Sequence, residues 1–193
     1  IWPINQLFNG LVQLDNDLNI KPELATSWKI SPDGLTYIFH LRKDVYFHES
    51  PVFGKNRTRN VKASDFVYSF NRLSDPKVAS PGSWVLQQVK EYKALDEFSL
   101  LIKLKKPFPA FLGLLSMRYC AVVPKEVVEY FGANFRSNPI GTGPFYFKRW
   151  NENVKLVLRK NPTYFEFDSQ GERLPYLEAV AIKFIPDIQS EFM

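Results

Sequence analysis

The sequence is poor in the residues that build redox and metal centres. Its 193 residues include one cysteine, Cys120, and two histidines, His40 and His48. A single cysteine excludes an internal disulfide and a cysteine-based zinc cluster. A metal role for His48 would need a set of partner ligands that the sequence does not visibly supply. We therefore expect no metal site and no cofactor, and we interpret Cys120 as a small buried apolar residue.

Catalytic motifs and long apolar runs are missing as well. The chain has no GxSxG, HExxH or GxxxxGKS/T pattern, and its acidic residues are scattered along its length. These absences argue against an enzyme. No stretch approaches the ~20 apolar residues of a membrane-spanning helix, because the longest candidate, residues 108–117, contains Pro109 and Gly113.

The charge balance gives little support to a nucleic-acid partner. Formal net charge is +5, but the 25 basic and 20 acidic residues are mostly interspersed. No basic helix or aromatic RNA-binding signature accompanies the positive charge. The 45% hydrophobic and 16% aromatic content is ample for a packed core. These values predict a folded chain that does not bind nucleic acid.

Two apolar runs at residues 24–30 and 35–41 predict a β-hairpin. A Ser-Pro-Asp-Gly sequence between them has the residue types that tight turns need. Apolar and polar residues alternate after the turn, which gives the second strand one apolar face. We expect the two strands to pair antiparallel with Trp28, Tyr37 and Phe39 largely buried.

The remaining pattern predicts an α+β fold of mixed or antiparallel sheets with packed helices. Residues 4–14 favour a short helix leading into a strand, and residues 47–62 favour a surface loop. The other predicted elements are helices at 63–73, 108–117 and 124–131, hairpins at 89–105 and 145–160, and strands at 119–123 and 178–185.

A family resemblance rests on the predicted hairpin and its flanks. Residues 24–49 have the sequence LATSWKISPDGLTYIFHLRKDVYFHE, which resembles the opening signature of the extracytoplasmic solute-binding proteins of peptide and nickel ABC transporters, solute-binding family 5. Further resemblances follow in the family's order. They lie at residues 8–12, 63–70, 75–76, 79–81, 95–96, 141–145 and 161–165.

The resemblance implies part of a bilobal periplasmic-binding-protein fold of the peptide-binding type. Residues 1–21 and 140–193 would belong to the first lobe, and residues 22–139 to the small second lobe. The Gly-Thr-Gly-Pro sequence at residues 141–144 would be the crossover between them. The last lobe would be absent, so the sequence is expected to be an N-terminal portion that binds solute more weakly than the whole protein.

The implied function is non-enzymatic delivery of a peptide or other small solute to the membrane permease of an ABC importer. The protein would act as a monomer in the periplasm or on the outer face of a bacterial membrane, with a lipid anchor as one possibility. Two alternatives stay open. Surface aromatic and carboxylate residues would also suit a glycan-acting hydrolase, and basic residues gathered on one face would indicate an anion-binding or nucleic-acid-binding module.

Two segments contain the candidate ligand-binding residues. Residues 79–84 resemble a family loop that presents an aromatic side chain to the cleft, but Gly82 stands at the aromatic position. Trp84 could supply the ring instead, or it could pack in the core. Residues 117–119 join an apolar helix to an apolar strand, so Arg118 must reach solvent, a cleft or a carboxylate. The candidates are Gly82, Ser83, Trp84, Met117, Arg118 and Tyr119.

Overall fold

The computed structural model describes residues 2–184, which contain nine strands and four α-helices. The helices are α1 (Trp2–Leu7), α2 (Ala63–Ser74), α3 (Phe111–Leu115) and α4 (Lys125–Phe131). The strands are β1 (Val12–Leu14), β2 (Ile20–Pro22), β3 (Ala25–Ile30), β4 (Thr36–Leu41), β5 (Val89–Ala94), β6 (Ser99–Leu104), β7 (Phe145–Asn151), β8 (Lys155–Lys160) and β9 (Ala179–Lys183). None of the helices within residues 2–184 is long and apolar enough to cross a membrane.

The strands form three antiparallel sheets, which confirms the predicted fold class. A four-stranded sheet has the order β3-β4-β6-β5, a three-stranded sheet has the order β7-β8-β9, and β1 pairs with β2. All strand pairs are antiparallel. The hairpins predicted at residues 24–41, 89–105 and 145–160 are therefore all confirmed.

The first hairpin closes through a turn whose backbone matches its chemistry. Gly34 has a φ of 68°, a conformation that favours glycine. The Asp33 carboxylate accepts a hydrogen bond from the Leu35 backbone N–H at 3.0 Å. Tyr37 and Phe39 are buried as predicted, but Trp28 is only half-buried because its strand lies at the edge of the sheet.

One face of the four-stranded sheet packs against α2 and α3. Alternate residues of β4 and β6 point to this face, among them Phe39, Leu100 and Ile102, all with 0% exposure. The amphipathic helix α2 contributes Phe66 and Phe70. We call this apolar layer the sheet core. Its regular alternation explains why the hairpins were predictable.

A smaller apolar cluster joins α1 to the three-stranded sheet. Leu7 and Phe8 pack there with Phe145, Leu156 and Leu158. Residues from the middle of the chain contact this cluster too, namely Ala121, Val123 and Phe135. In the other direction, Leu11, Val12, Tyr164 and Phe165 belong to the sheet core. Residues from both predicted lobes therefore contribute to both apolar clusters, and the division into lobes stays a prediction.

Two predictions of local structure were wrong and two were imprecise. Residues 119–123 form no strand, because a 3-10 helix (Arg118–Cys120) is followed by irregular chain whose N–H groups bond the Asn9 carbonyl and the Ser69 hydroxyl. The 47–62 segment is more than a surface loop, since it contains a 3-10 helix (Pro51–Asn56) and buried Phe47. Helix α3 is shorter than predicted, and position 185 of the last predicted strand lies outside the described residues.

Candidate functional site

A cleft of about 190 Å³ opens between α1, α2 and the segment that follows α3. Most of its walls are apolar, and its polar side chains come from α2, from the loop after α2 and from the 118–119 segment. It is lined by Ile4, Phe8, Ser69, Arg72, Leu73, Val78, Ser80, Arg118, Tyr119, Ala121 and Val123. Among the lining residues at positions 2–184, two are arginines and none has a carboxylate.

The two predicted ligand-binding segments meet at this cleft. Arg118 and Tyr119 line it directly. Gly82 lies under the Tyr119 ring so closely that a Cβ atom added at Gly82 would be 2.2 Å from the ring's Cγ. The absence of a side chain at Gly82 therefore makes room for Tyr119, which is 45% exposed. An aromatic ring is present near the expected place, but it comes from the other segment.

The other three predicted residues lie outside the cleft lining. Ser83 and Trp84 begin a 3-10 helix (Ser83–Leu86), and the Trp84 side chain is 44% exposed. Met117 is half-buried and packs against the sheet core. The structure thus brings together Gly82, Arg118 and Tyr119, while Ser83, Trp84 and Met117 are neighbours of this group in sequence only.

The Arg118 guanidinium is held on two sides. Its Nε donates to the Asn5 side-chain oxygen at 2.9 Å, and its Nη1 donates to the Phe8 carbonyl at 3.2 Å. Nη1 also donates to the Glu23 carboxylate at 2.9 Å, which forms an ion pair. Nη2 makes no hydrogen bond with any residue in the described part of the chain. Nε and Nη1 are therefore anchored, while the two hydrogens of Nη2 stay available for a further acceptor.

Glu23 is the buried counterpart of Arg118. Its side chain is 1% exposed and accepts hydrogen bonds from the Asn9 amide at 2.8 Å and the Gly10 N–H at 2.7 Å. Burial raises the pKa of the Glu23 carboxyl, an effect opposed by Arg118 and by these two donors. Sequence reasoning missed Glu23, because a lone glutamate before an apolar strand has no recognisable signature.

The chain returns from residue 140 beside the end of α1, and buried polar side chains line this passage. Thr142 donates to the Asn9 side-chain oxygen at 2.8 Å, and Asn161 donates to the Gly143 carbonyl at 3.0 Å. Added Cβ atoms at Gly141 and Gly143 would collide with backbone oxygens of α1. Glycine is therefore required for this close approach. We call the polar junction the set Asn9, Glu23, His48, Arg118, Thr142 and Asn161.

His48 makes two structural hydrogen bonds at this passage. Its Nε2 lies 2.9 Å from the Gly143 carbonyl, and its Nδ1 accepts from the Gly141 N–H at 3.3 Å. These partners require the neutral tautomer with hydrogen on Nε2. Burial lowers the pKa of His48 to about 4. The neutral His48 ring therefore links the 47–62 segment to the crossover through two hydrogen bonds. Because both ring nitrogens are engaged, neither has a free lone pair for a metal.

Reactive chemistry has no support within residues 2–184. Cys120 is 1% exposed, and burial raises the pKa of its thiol to about 12, so little thiolate forms near neutral pH. No group of three or more metal-ligating side chains occurs in this part of the chain. The Gly-Thr-Gly-Pro sequence leads into β7 and not into a helix, so it offers no helix N-terminus to a phosphate.

A second, larger cleft of about 790 Å³ lies between the 46–58 segment and the outer side of β7 and β8. Its rim includes the exposed ion pairs Arg57–Glu49 and Lys160–Glu178. None of the six predicted ligand-binding residues lines it. We therefore take the smaller cleft as the candidate site, because both predicted segments meet there.

Comparison with known families decides the class of the protein. The sequence profile of bacterial extracellular solute-binding proteins, family 5 Middle, matches residues 19–192. The chain belongs to this family. The resemblance found in the hairpin signature is thereby confirmed. The family is a class of solute-binding proteins and not of enzymes, so the alternative of a glycan-acting hydrolase gains no support.

Individual relatives agree with the family assignment. The chain is 34% identical to a probable di/tripeptide-binding protein 5 of Pseudomonas aeruginosa, over 94% of this chain and 36% of that protein. It is 30% identical to heme-binding protein A of Haemophilus influenzae, over 97% of this chain and 36% of the relative. The periplasmic binding protein DppA of Helicobacter pylori, in complex with peptide STSA, superposes with a TM-score of 0.81 and 33% identity, over 97% of this chain and 38% of that one. The chain thus spans little more than a third of these relatives.

Proposed function

We propose that this chain forms one wall of the solute-binding cleft of an extracytoplasmic binding protein that delivers short peptides to an ABC importer. The observation that supports the proposal most is the meeting of residues 79–82 with residues 118–119 at the 190 Å³ cleft. Both segments contain residues that the sequence predicts for the ligand site. The similarity to peptide-binding relatives favours a peptide as the solute.

The proposed mechanism is closure of two lobes around the solute. Residues 1–21 and 140–193 belong to one lobe and residues 22–139 to the second, and the opposing wall comes from outside this chain. Binding energy that is available only in the closed form shifts the population toward it. The membrane permease then recognises the closed, loaded protein. The protein acts as a monomer outside the inner membrane, either free in the periplasm or attached through a lipid anchor.

The lining of the cleft suits binding better than hydrolysis. A glycosidase needs two carboxyl groups about 5–10 Å apart in its cleft. Among the described residues, no aspartate or glutamate lines the smaller cleft. Apolar walls with a few placed polar groups are typical of small-molecule binding sites.

Titration of the protein at its native length with a pool of di- and tripeptides tests the proposal. Tyr119→Ala removes a half-exposed ring from the cleft and should weaken peptide binding about tenfold or more. Tyr130→Ala is the matched control, because that ring is 73% exposed on α4 and lies outside the cleft lining. Equal affinities of the two variants and the unaltered protein would contradict the proposal.

A further inference from the structure

Building on the proposed function, we infer that the smaller cleft recognises a carboxylate group of the solute together with the small apolar group next to it. The carboxylate would lie against Arg72 and the Nη2 atom of Arg118. A short peptide can supply such a group from its C-terminus or from an aspartate or glutamate side chain. The shared chemistry is a single negative charge beside an apolar surface.

The charges at the cleft favour one anion. Arg72 and Arg118 both line the cleft, and no acidic side chain from the described part of the chain joins them there. The positive charge of Arg118 is already balanced by its ion pair with the buried Glu23 carboxylate. Arg72 is half-buried and forms no ion pair or side-chain hydrogen bond with the residues at positions 2–184. The cleft therefore has a net charge of one positive unit, which one carboxylate balances.

Arg118 is oriented before any solute arrives. Asn5, Phe8 and Glu23 fix its Nε and Nη1 atoms and leave both hydrogens of Nη2 without a partner in the described chain. A donor that is already immobilised loses little side-chain entropy when it binds an anion. Charge-assisted N–H to carboxylate hydrogen bonds are also about twice as strong as neutral ones. The arrangement suits a carboxylate better than a neutral amide.

The size and the walls of the cleft indicate what lies beside the carboxylate. Its volume of about 190 Å³ is below the roughly 300–1,000 Å³ of sites that enclose a whole ligand. It therefore suits one end of a solute and not an entire peptide. Apolar surface from Ile4, Phe8, Leu73 and Val78 borders the two arginines. A small aliphatic group attached next to the carboxylate would contact these walls.

Three peptide pools at matched composition test this inference by calorimetric titration of the protein at its native length. The first contains di- and tripeptides of alanine, valine and leucine with free C-termini. The second contains the same peptides as C-terminal amides, and the third contains amides in which one residue is aspartate or glutamate. We expect amidation to weaken binding about 10- to 100-fold, which is the value of a charge-assisted hydrogen bond.

Substitution of Arg72 tests whether the loss of affinity on amidation arises at this cleft. Arg72→Gln should weaken binding of the free-acid pool by a smaller factor than amidation does, because Arg118 still binds the carboxylate, and should weaken binding of the amide pool less than that of the free-acid pool. Arg72→Lys should restore part of the loss, because the positive charge returns without the forked geometry. Arg149→Gln is the control, since Arg149 is exposed on β7 outside the cleft lining. Arg72 makes no described side-chain bond, so its substitution should not impair folding.

The possible outcomes separate this inference from the proposed function. If the acidic amide pool binds as well as the free-acid pool, the carboxylate is taken from a side chain, and the inference holds. If the free-acid and amide pools bind equally and Arg72→Gln has no effect, the carboxylate inference is overturned while peptide binding stands. If none of the pools binds, both are overturned.

Discussion

The sheet core and the polar junction are both buried, yet different interactions hold them. The sheet core is built from apolar residues that alternate along β4 and β6, and it gains stability from burial of apolar area. The polar junction consists of amide, carboxylate, imidazole and guanidinium groups whose partners are distant in sequence. Asn9 and Thr142, for example, are 133 positions apart. The comparison shows that one region supplies most of the stability and the other fixes how separate segments meet.

Every fully buried polar side-chain atom of the polar junction has a hydrogen-bond partner among the described residues. No buried side-chain nitrogen or oxygen in residues 2–184 lacks a hydrogen-bond partner. Each such bond contributes only about 0.5–1.5 kcal/mol net, because the same groups would bond water in the unfolded chain. Removing one partner costs more, since the other stays buried without a bond. The junction therefore contributes mainly by orienting Arg118 and the crossover.

The largest effect is expected in the sheet core. Phe39→Ala removes a ring with 0% exposure from the centre of the four-stranded sheet and should lower the free energy of unfolding by about 3–5 kcal/mol. Ile30→Ala is the control in the neighbouring strand, because that side chain is 46% exposed, and should cost less than about 1 kcal/mol. Urea denaturation measures both. Equal losses would show that burial in this sheet does not determine stability.

Acidification should lower the stability of the folded protein by protonating His48 in the polar junction. Its pKa is about 4 in the folded protein and about 6.5 when unfolded, so protonation favours the unfolded chain. Stability from the neutral ring is fully present above pH 6.5 and is lost as the pH falls from 6.5 toward 4. A shift of this size amounts to about 3 kcal/mol.

Unfolding free energies at several pH values test the role of His48 by comparing variants. His48→Gln should flatten the pH dependence between 6.5 and 4, because the titrating ring is gone. His40→Gln is the control, since His40 lies half-buried on β4 away from the junction. A His48→Gln protein that kept the full pH dependence would assign the acid sensitivity to carboxylates elsewhere.

A smaller effect is expected for the Glu23–Arg118 pair. Glu23→Gln keeps the shape of the side chain but leaves the Arg118 charge without its counterion, which should cost about 1–2 kcal/mol because Arg118 is partly exposed. In the double variant with Arg118→Gln, the loss should be smaller than the sum of the two single losses. Glu152→Gln, which breaks the exposed pair with Arg136, should change stability by less than about 0.5 kcal/mol. Additive losses at Glu23 and Arg118 would contradict the coupling.

The same contrast explains how much the sequence could predict. Alternation of apolar and polar residues is a local signal, so the three hairpins and the burial of Tyr37 and Phe39 were predictable. The apolar run at 119–123 gave a similar signal but is not a strand, because its buried N–H groups bond Asn9 and Ser69 in place of a neighbouring strand. Periodicity does not reveal such partners.

The candidate site was predictable only in part, for a related reason. Arg118 stood out as a charge between apolar elements, and Tyr119 and Gly82 lay in segments that resemble the family. Arg72 was missed because an arginine on the polar side of an amphipathic helix looks the same whether it faces solvent or a cleft. Which of these residues converge depends on how α1, α2 and the 118–119 segment pack together. This packing involves contacts between residues more than 100 positions apart in the sequence, such as Arg118 and Asn5.

The effect most specific to binding is expected at Gly82. In Gly82→Ala the new methyl group would be 2.2 Å from Tyr119 Cγ, so the ring must move. The methyl group would also be 2.6 Å from Tyr119 Cβ, so turning the ring cannot remove the overlap and the backbone near Tyr119 must shift as well. Overpacking of this kind should lower the free energy of unfolding by about 1–3 kcal/mol. Peptide affinity should also fall, since the ring leaves its place in the cleft wall. Gly113→Ala in α3 is the control, because nothing lies within 4 Å of its added Cβ, and it should leave binding unchanged. If both alanine variants bound peptides as the unaltered protein does, the position of the Tyr119 ring would have no part in solute recognition.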